Sequence, residues 1–144
     1  MTFPFLSLGS KPTRRRPFAP LMPVDVNAHL LPGRHDGTDS VEHSISLLRE
    51  WSASGVRKII ASLHIMSSYY DNTADTIRAS ASLLNYHLQR DHIPIEVEPA
   101  AEYYIDRGFM GMLYRQEELL TFFDNQYRRY LFFETGLIAP PNQL

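Results

Sequence analysis

The sequence predicts an α/β domain of parallel strands joined by crossover helices, and three observations predict it. Short apolar, β-rich runs alternate with longer stretches whose apolar residues recur at helical spacing, in strand–helix–strand order. The helical stretches carry start and stop signals at their ends. A His, Asp or Glu stands at or near the end of each apolar run. A parallel sheet gathers its ligand site at those carboxyl ends.

Residues 24–30, V-D-V-N-A-H-L, form the first strand candidate. Period-two alternation would put Asp25, Asn27 and His29 on one of its faces. Residues 39–54 read as a helix, because Val41, Ile45, Leu48 and Trp51 recur at helical spacing, with Leu47 beside them. Asp39 and Glu42 make a D-x-x-E start signal, and Gly55 sits where a capping glycine belongs. Residues 57–63, R-K-I-I-A-S-L, have the composition of a buried parallel strand. A loop over 65–72 leads to a helix over 74–90, capped by Thr73 and striped by Ile77, Ala81, Leu84 and Leu88. Pro94 marks the entry to a third strand over 95–101. A third helix is expected over 109–120, and Y-L-F-F-E at 130–134 is the fourth strand.

The chain has 144 residues, 44% of them hydrophobic and 21% charged, which is ordinary globular composition for one domain. A net charge of −2 supplies no basic face for a phosphate backbone, so nucleic acid is not the expected partner. Cysteine is absent, which excludes disulfides and thiolate metal sites. No apolar run approaches the ~20 residues of a membrane span, so an integral membrane protein is not expected. Residues 1–23 carry five prolines and the cluster Arg14, Arg15, Arg16. The cluster follows the apolar residues, the reverse of a secretory signal. The segment reads as a flexible, basic, Pro-rich leader, with contact to an acidic partner or membrane surface as the sharper reading.

Chemistry-bearing residues gather at the strand ends. The first strand carries Asp25, Asn27 and His29, and the loop after it carries His35 and Asp36 between Gly33 and Gly37. The second strand ends at His64, the third at Glu102 and the fourth at Glu134. Singly, each has an ordinary reading: His29 as a core histidine, Asp36 as a turn residue, Glu134 as a solvated strand end. Together they are the imidazole and carboxylate set that hard and borderline divalent metals take. A bridging carboxylate such as Glu102 would let two metals sit close together and serve phosphoryl transfer. His43, His87 and His92 read as surface residues, and Trp51, Phe122 and Phe123 as packing.

Four ordered segments carry a family resemblance: D-V-N-A-H-L-L-P-G-R-H-D-G, I-I-A-S-L-H-I-M-S-S-Y-Y-D-N-T, A-A-E-Y-Y-I-D and L-F-F-E-T. They resemble the PHP-domain (polymerase and histidinol phosphatase type) protein-tyrosine phosphatases of bacterial capsule and exopolysaccharide operons. That family opens on D-x-H-S-H-x-L-P-G-x-D-D-G and has T-P-H at its second strand. The resemblance implies a distorted, TIM-like β/α barrel, of which residues 24–144 would form the N-terminal half. It implies a divalent metal, manganese first, with zinc or iron as alternatives. His29, Asp36, His64 and Glu102 match its metal ligands, with His29, His64 and Glu102 at the catalytic centre and Asn27 and His35 as further candidates. It implies a cytoplasmic enzyme acting on a phosphotyrosine protein, such as a capsule or exopolysaccharide tyrosine kinase. An open half-barrel would also be prone to self-association.

The sequence departs from the family pattern in four places. Asn27 stands where the first metal-binding His belongs, and an amide oxygen is a weaker donor. His35 replaces the first Asp of D-D-G, and Ser62-Leu63 replaces Thr-Pro before His64. The family's later H-P-E-R and D-x-H segments have no counterpart before Leu144, which gives the expectation of a C-terminally truncated member. The alternative reading is therefore a catalytically impaired relative that acts as a binding module or is a remnant.

Overall fold

The computed structural model describes residues 23–136, so the leader reading of residues 1–22 lies outside the described residues. Six strands are formed: β1 (Val24–Ala28), β2 (Lys58–Ile65), β3 (Glu96–Tyr104), β4 (Phe122–Phe123), β5 (Arg129–Tyr130) and β6 (Phe132–Glu134). Three helices alternate with the first of them: α1 (Val41–Ser54), α2 (Ala74–Arg90) and α3 (Arg107–Tyr114). The main sheet runs β1-β2-β3-β6 with every pair parallel, and β4 and β5 form a separate antiparallel hairpin. Pro23 is already docked to this sheet, its carbonyl accepting the Arg57 N–H at 2.8 Å.

Register sorts the sheet into two faces. Ile59, Ala61 and Leu63 of β2 sit beside Val97, Pro99 and Ala101 of β3. All of these but the half-buried Pro99 pack, with Tyr103, into the core with Leu48, Ile77, Leu84 and Leu88 of the helices. The alternate positions, Lys58, Ile60, Ser62 and His64 beside Glu96, Glu98, Ala100 and Glu102, make a second and more polar face. Burial of the first face is the driving force here, since fully removing a Leu or Ile side chain from water is worth roughly 1.5–3 kcal/mol.

Several elements start or stop away from where local sequence places them. The N-cap of α1 is Ser40, whose Oγ accepts the His43 N–H at 3.1 Å, and not Asp39. Gly55 does close that helix in the left-handed region, at φ 105°. Helix α2 matches its expected span, with a capping box between Thr73 and Thr76. β3 extends to Tyr104 because its last three residues gain a partner in β6. Helix α3 starts at Arg107 under an Asp106 cap and stops at Tyr114, short of residue 120. Gln116 turns left-handed at φ 55°, and beyond it Leu120 is committed to tertiary bonds. Its N–H donates to the buried Tyr103 hydroxyl at 2.8 Å, and its carbonyl accepts from Ala101 at 3.3 Å. The run at 130–134 divides at Leu131, Tyr130 going to the hairpin and Phe132–Glu134 to the main sheet.

β1 breaks its own alternation. The register slips between Val26, opposite Ile60, and Ala28, opposite Ala61, so Asn27 is an extra residue, at φ 63°. Asp25, opposite Ile59, therefore lies on the helix-covered face, while His29 is turned to the polar one. The expectation that Asp25, Asn27 and His29 share a face is corrected by this bulge.

Candidate metal centre

Each of the four parallel strands brings a residue to one point. The bulge at Asn27 delivers His29. The loop after β1 folds back through the Pro32–Thr38 bridge and brings Asp36 over the end of β2. Gly37 permits that fold, since a Cβ there would stand 1.8 Å from the Leu31 carbonyl oxygen. His64 and Glu102 are register partners on β2 and β3, and Glu134 ends β6.

Asp36 Oδ2 accepts the backbone N–H of His64 at 2.8 Å and lies 2.6 Å from His64 Nδ1 and 3.6 Å from His29 Nδ1. Glu102 Oε2 lies 3.3 Å from His29 Nε2 and 3.8 Å from His64 Nε2. Glu134 Oε2 lies 3.1 Å from His64 Nε2. Two overlapping sets, His29–Asp36–His64 and His64–Glu102–Glu134, each place their donor atoms within 4.8 Å of one another. Behind them, Asn72 donates to Asp36 Oδ1 and to the His64 carbonyl, both at 3.0 Å.

This donor set fits a divalent cation. Among the described residues the three carboxylates pair only with histidines, and no Lys or Arg reaches them. Both ring nitrogens of His29 and of His64 face carboxylate oxygens. A neutral imidazole carries one N–H and one lone pair, so one nitrogen of each ring meets a carboxylate lone pair to lone pair. Asp36 is placed to take the Nδ1–H of His64, which turns the Nε2 lone pair towards Glu102 and Glu134. A cation at Nε2 removes the conflict, and nitrogen and oxygen donors of this kind suit manganese, zinc or iron.

Of the residues singled out from sequence, His29, Asp36, His64 and Glu102 are brought together. Asn27 and His35 make other polar contacts. Asn27 Oδ1 accepts a hydrogen bond from Ser62 Oγ. His35 Nδ1 lies 3.1 Å from Asp71 Oδ1, with both side chains mostly exposed. Sequence reasoning undervalued Glu134, which the strand-end rule had placed at the site and its solvated position disguised. Asn72 and Tyr70 were missed within Y-Y-D-N-T: Asn72 is buried, and Tyr70 stacks on His64 with ring centroids 5.5 Å apart. No local signal marks either, since both act through residues distant in sequence.

A family described as capsular polysaccharide synthesis, CpsB/CapC, matches residues 23–135. The tyrosine-protein phosphatase YwqE of Bacillus subtilis (strain 168) is 32% identical over 104 residues, covering 72% of this chain and 41% of that protein. A solved chain is similar with a TM-score of 0.65 and 30% identity, covering 78% of this chain and 44% of its own length. It comes from the crystal structures of YwqE from Bacillus subtilis and CpsB from Streptococcus pneumoniae, described as unique metal-dependent tyrosine phosphatases. The sheet and its crossover helices correspond to part of that fold, a half-barrel, and the chain spans less than half the length of these relatives.

Proposed function

The chain belongs to the CpsB/CapC family of capsular polysaccharide synthesis, and from that premise we propose that it carries a metal-dependent protein-tyrosine-phosphatase site. The observation that supports this reading is the convergence of two imidazoles and three carboxylates, free of Lys and Arg among the described residues, at the carboxyl ends of four parallel strands. His29, Asp36, His64, Glu102 and Glu134 would hold the metal, with manganese the first candidate and zinc or iron next. A bound divalent ion would supply Lewis acidity, lowering the pKa of a bound water and neutralising charge on the phosphoryl group. The chain's own residues supply orientation. Asp36 fixes the His64 ring and its tautomer. Glu102 and His29, 3.3 Å apart, would be committed as ligands, so the attacking water would give its proton to solvent and the departing phenolate oxygen would take one from solvent. The bond formed is water oxygen to phosphorus, and the bond broken is phosphorus to the phenolic oxygen. The substrate is a phosphotyrosine protein, a capsule or exopolysaccharide tyrosine kinase being the proposed partner, in the cytoplasm. No helix of the described residues is long and apolar enough to cross a membrane.

Asn27 favours a second reading, a relative that binds its partner without turning it over. Its amide oxygen, a weaker donor than an imidazole, accepts a hydrogen bond from the Ser62 hydroxyl. Metal analysis of the purified chain, with hydrolysis of a phosphotyrosine peptide, separates the two. Stoichiometric manganese, zinc or iron and turnover abolished in His64→Ala support the phosphatase. A chain that holds no metal and shows no turnover leaves the binding module.

A further inference from the structure

Tyr70 is set against His64 by a loop that is tied down on both sides. The strand β2 ends at Ile65, and residues 66–71 fold into a compact turn in which the N–H groups of Tyr69 and Tyr70 both donate to the Met66 carbonyl at 3.1 Å. On the far side Asn72 anchors the loop to Asp36 and to the His64 carbonyl. On the near side the anchor is Asp106, which belongs to a different crossover. Its Oδ2 accepts the Ser67 N–H at 3.1 Å and its Oδ1 accepts the Ser67 hydroxyl at 3.3 Å. The same Oδ1 accepts the Phe109 N–H at 2.8 Å and caps α3.

Two further observations mark this contact as built for close approach. A Cβ on Gly108 would stand 1.6 Å from Ser67 Oγ, so the turn sits on the first turn of α3 only because residue 108 has no side chain. Burial pushes the Asp106 carboxyl up, yet the N–H groups of Phe109 and Ser67 together hold it below the ordinary carboxylate range. The carboxylate is thus bonded in its charged form to both elements at once.

We propose that Asp106 is a positioning residue: it latches the loop at residues 66–71 to α3 and so keeps Tyr70 stacked on His64. Tyr70 then restricts the His64 ring from one face, while the carboxylates lie at its nitrogens. The latch stands on this geometry alone; only its effect on metal rests on the phosphatase reading.

Asp106→Asn separates the latch from the cap. The amide oxygen still accepts from Phe109, but the amide nitrogen is a donor and cannot receive the Ser67 N–H. In the full chain, the ring protons of His64 followed by NMR report the stacked Tyr70 by its ring current. Tyr70→Leu fixes the unstacked position and Tyr70→Phe the stacked one. Asp106→Asn is expected to move the His64 signals to the Tyr70→Leu position while the amides of α3 keep their exchange protection. Zinc affinity should fall about tenfold, as for other partners that orient a ligand. His64 signals unmoved in Asp106→Asn overturn the latch. Signals that move with zinc affinity unchanged confine it to the loop, and overturn its bearing on the site. If the wild-type chain binds no zinc, the metal reading fails and the ring-current comparison still decides the latch.

Discussion

Asp36 and His64, 28 residues apart, meet twice through one oxygen: Oδ2 accepts the His64 backbone N–H at 2.8 Å and lies 2.6 Å from Nδ1 of the same residue. A single carboxylate oxygen therefore holds both the main chain near the end of β2 and the orientation of the His64 imidazole. The other oxygen holds Asn72. The loop after β1, the end of β2 and the entry to α2 are joined at this residue.

Replacing Asp36 by Ala should accordingly cost stability as well as metal. The His64 N–H, the Asn72 amide and Nδ1 all lose their acceptor, and a part-buried donor left unmade costs about 1–3 kcal/mol. Metal affinity should fall about 10–100-fold, because the ring loses the partner that orients it. Urea midpoints and calorimetric titration with zinc measure the two effects. An affinity unchanged in Asp36→Ala would remove Asp36 from the centre.

Glu134 should behave in the opposite way. Its carboxylate adds a third negative charge to the cluster, close to Glu102 and 3.1 Å from His64 Nε2. Glu134→Gln should leave the metal-free chain at least as stable as wild type, because like charges at this range repel. Stabilisation by metal should shrink. A site at 100 times its Kd in free metal gains about 2.7 kcal/mol, and the variant should gain less at the same concentration. Thermal melts with and without manganese or zinc, reversed by chelator, give the comparison. A variant destabilised without metal and equally stabilised by it would make Glu134 structural.

The architecture was legible in the sequence because the first two helices carry their own punctuation. Thr73, Gly55 and the Leu48, Ile77 and Leu84 stripes fix type and order locally. The strand-end rule then found His29, Asp36, His64 and Glu102. Hidden from sequence was whatever depends on register. The bulge at Asn27 exchanges the two faces of β1, and nothing in V-D-V-N-A-H announces an extra residue. The split of Y-L-F-F-E depends on Phe122 and Phe123 arriving to pair with Arg129 and Tyr130. Helix α3 ends early because the Tyr103 hydroxyl, on β3, claims the Leu120 N–H. The partner of His35 was equally hidden, Asp71 lying 36 residues further along the chain.

The β4–β5 hairpin should loosen in acid. Asp124 accepts the N–H groups of Gln126 and Arg128 at 2.8 and 2.9 Å, the Arg128 Nε–H at 2.7 Å and the Tyr130 hydroxyl at 3.0 Å. Desolvation would raise its carboxyl, but these bonds outweigh it and hold the pKa at about 2. The unfolded value is about 3.9, so the folded state gains from this group above that pH. The gain is lost as pH falls from about 4 through about 2, when the proton returns in both states. In the folded chain the Tyr130 and Arg128 signals should titrate by NMR with a midpoint at about pH 2, and in Asp124→Asn they should be flat there.

Asn27→His tests whether the position is a lost ligand or a backbone device. The residue is the extra one of the bulge, at φ 63°, and that slip is what turns His29 to the polar face. Asn and His are both enriched in the left-handed region, so the substitution keeps the bulge at little conformational cost. The cost falls on Ser62, whose side chain is fully buried and donates to the Asn27 carbonyl oxygen. Left without that acceptor it should destabilise the chain by about 1–3 kcal/mol. Ser62→Ala in the same chain removes the orphaned hydroxyl and should recover most of that loss. If residue 27 is a ligand position, a third imidazole raises affinity for zinc and manganese in both backgrounds. Stability that falls and recovers in this way with metal affinity unmoved would assign Asn27 to the bulge alone.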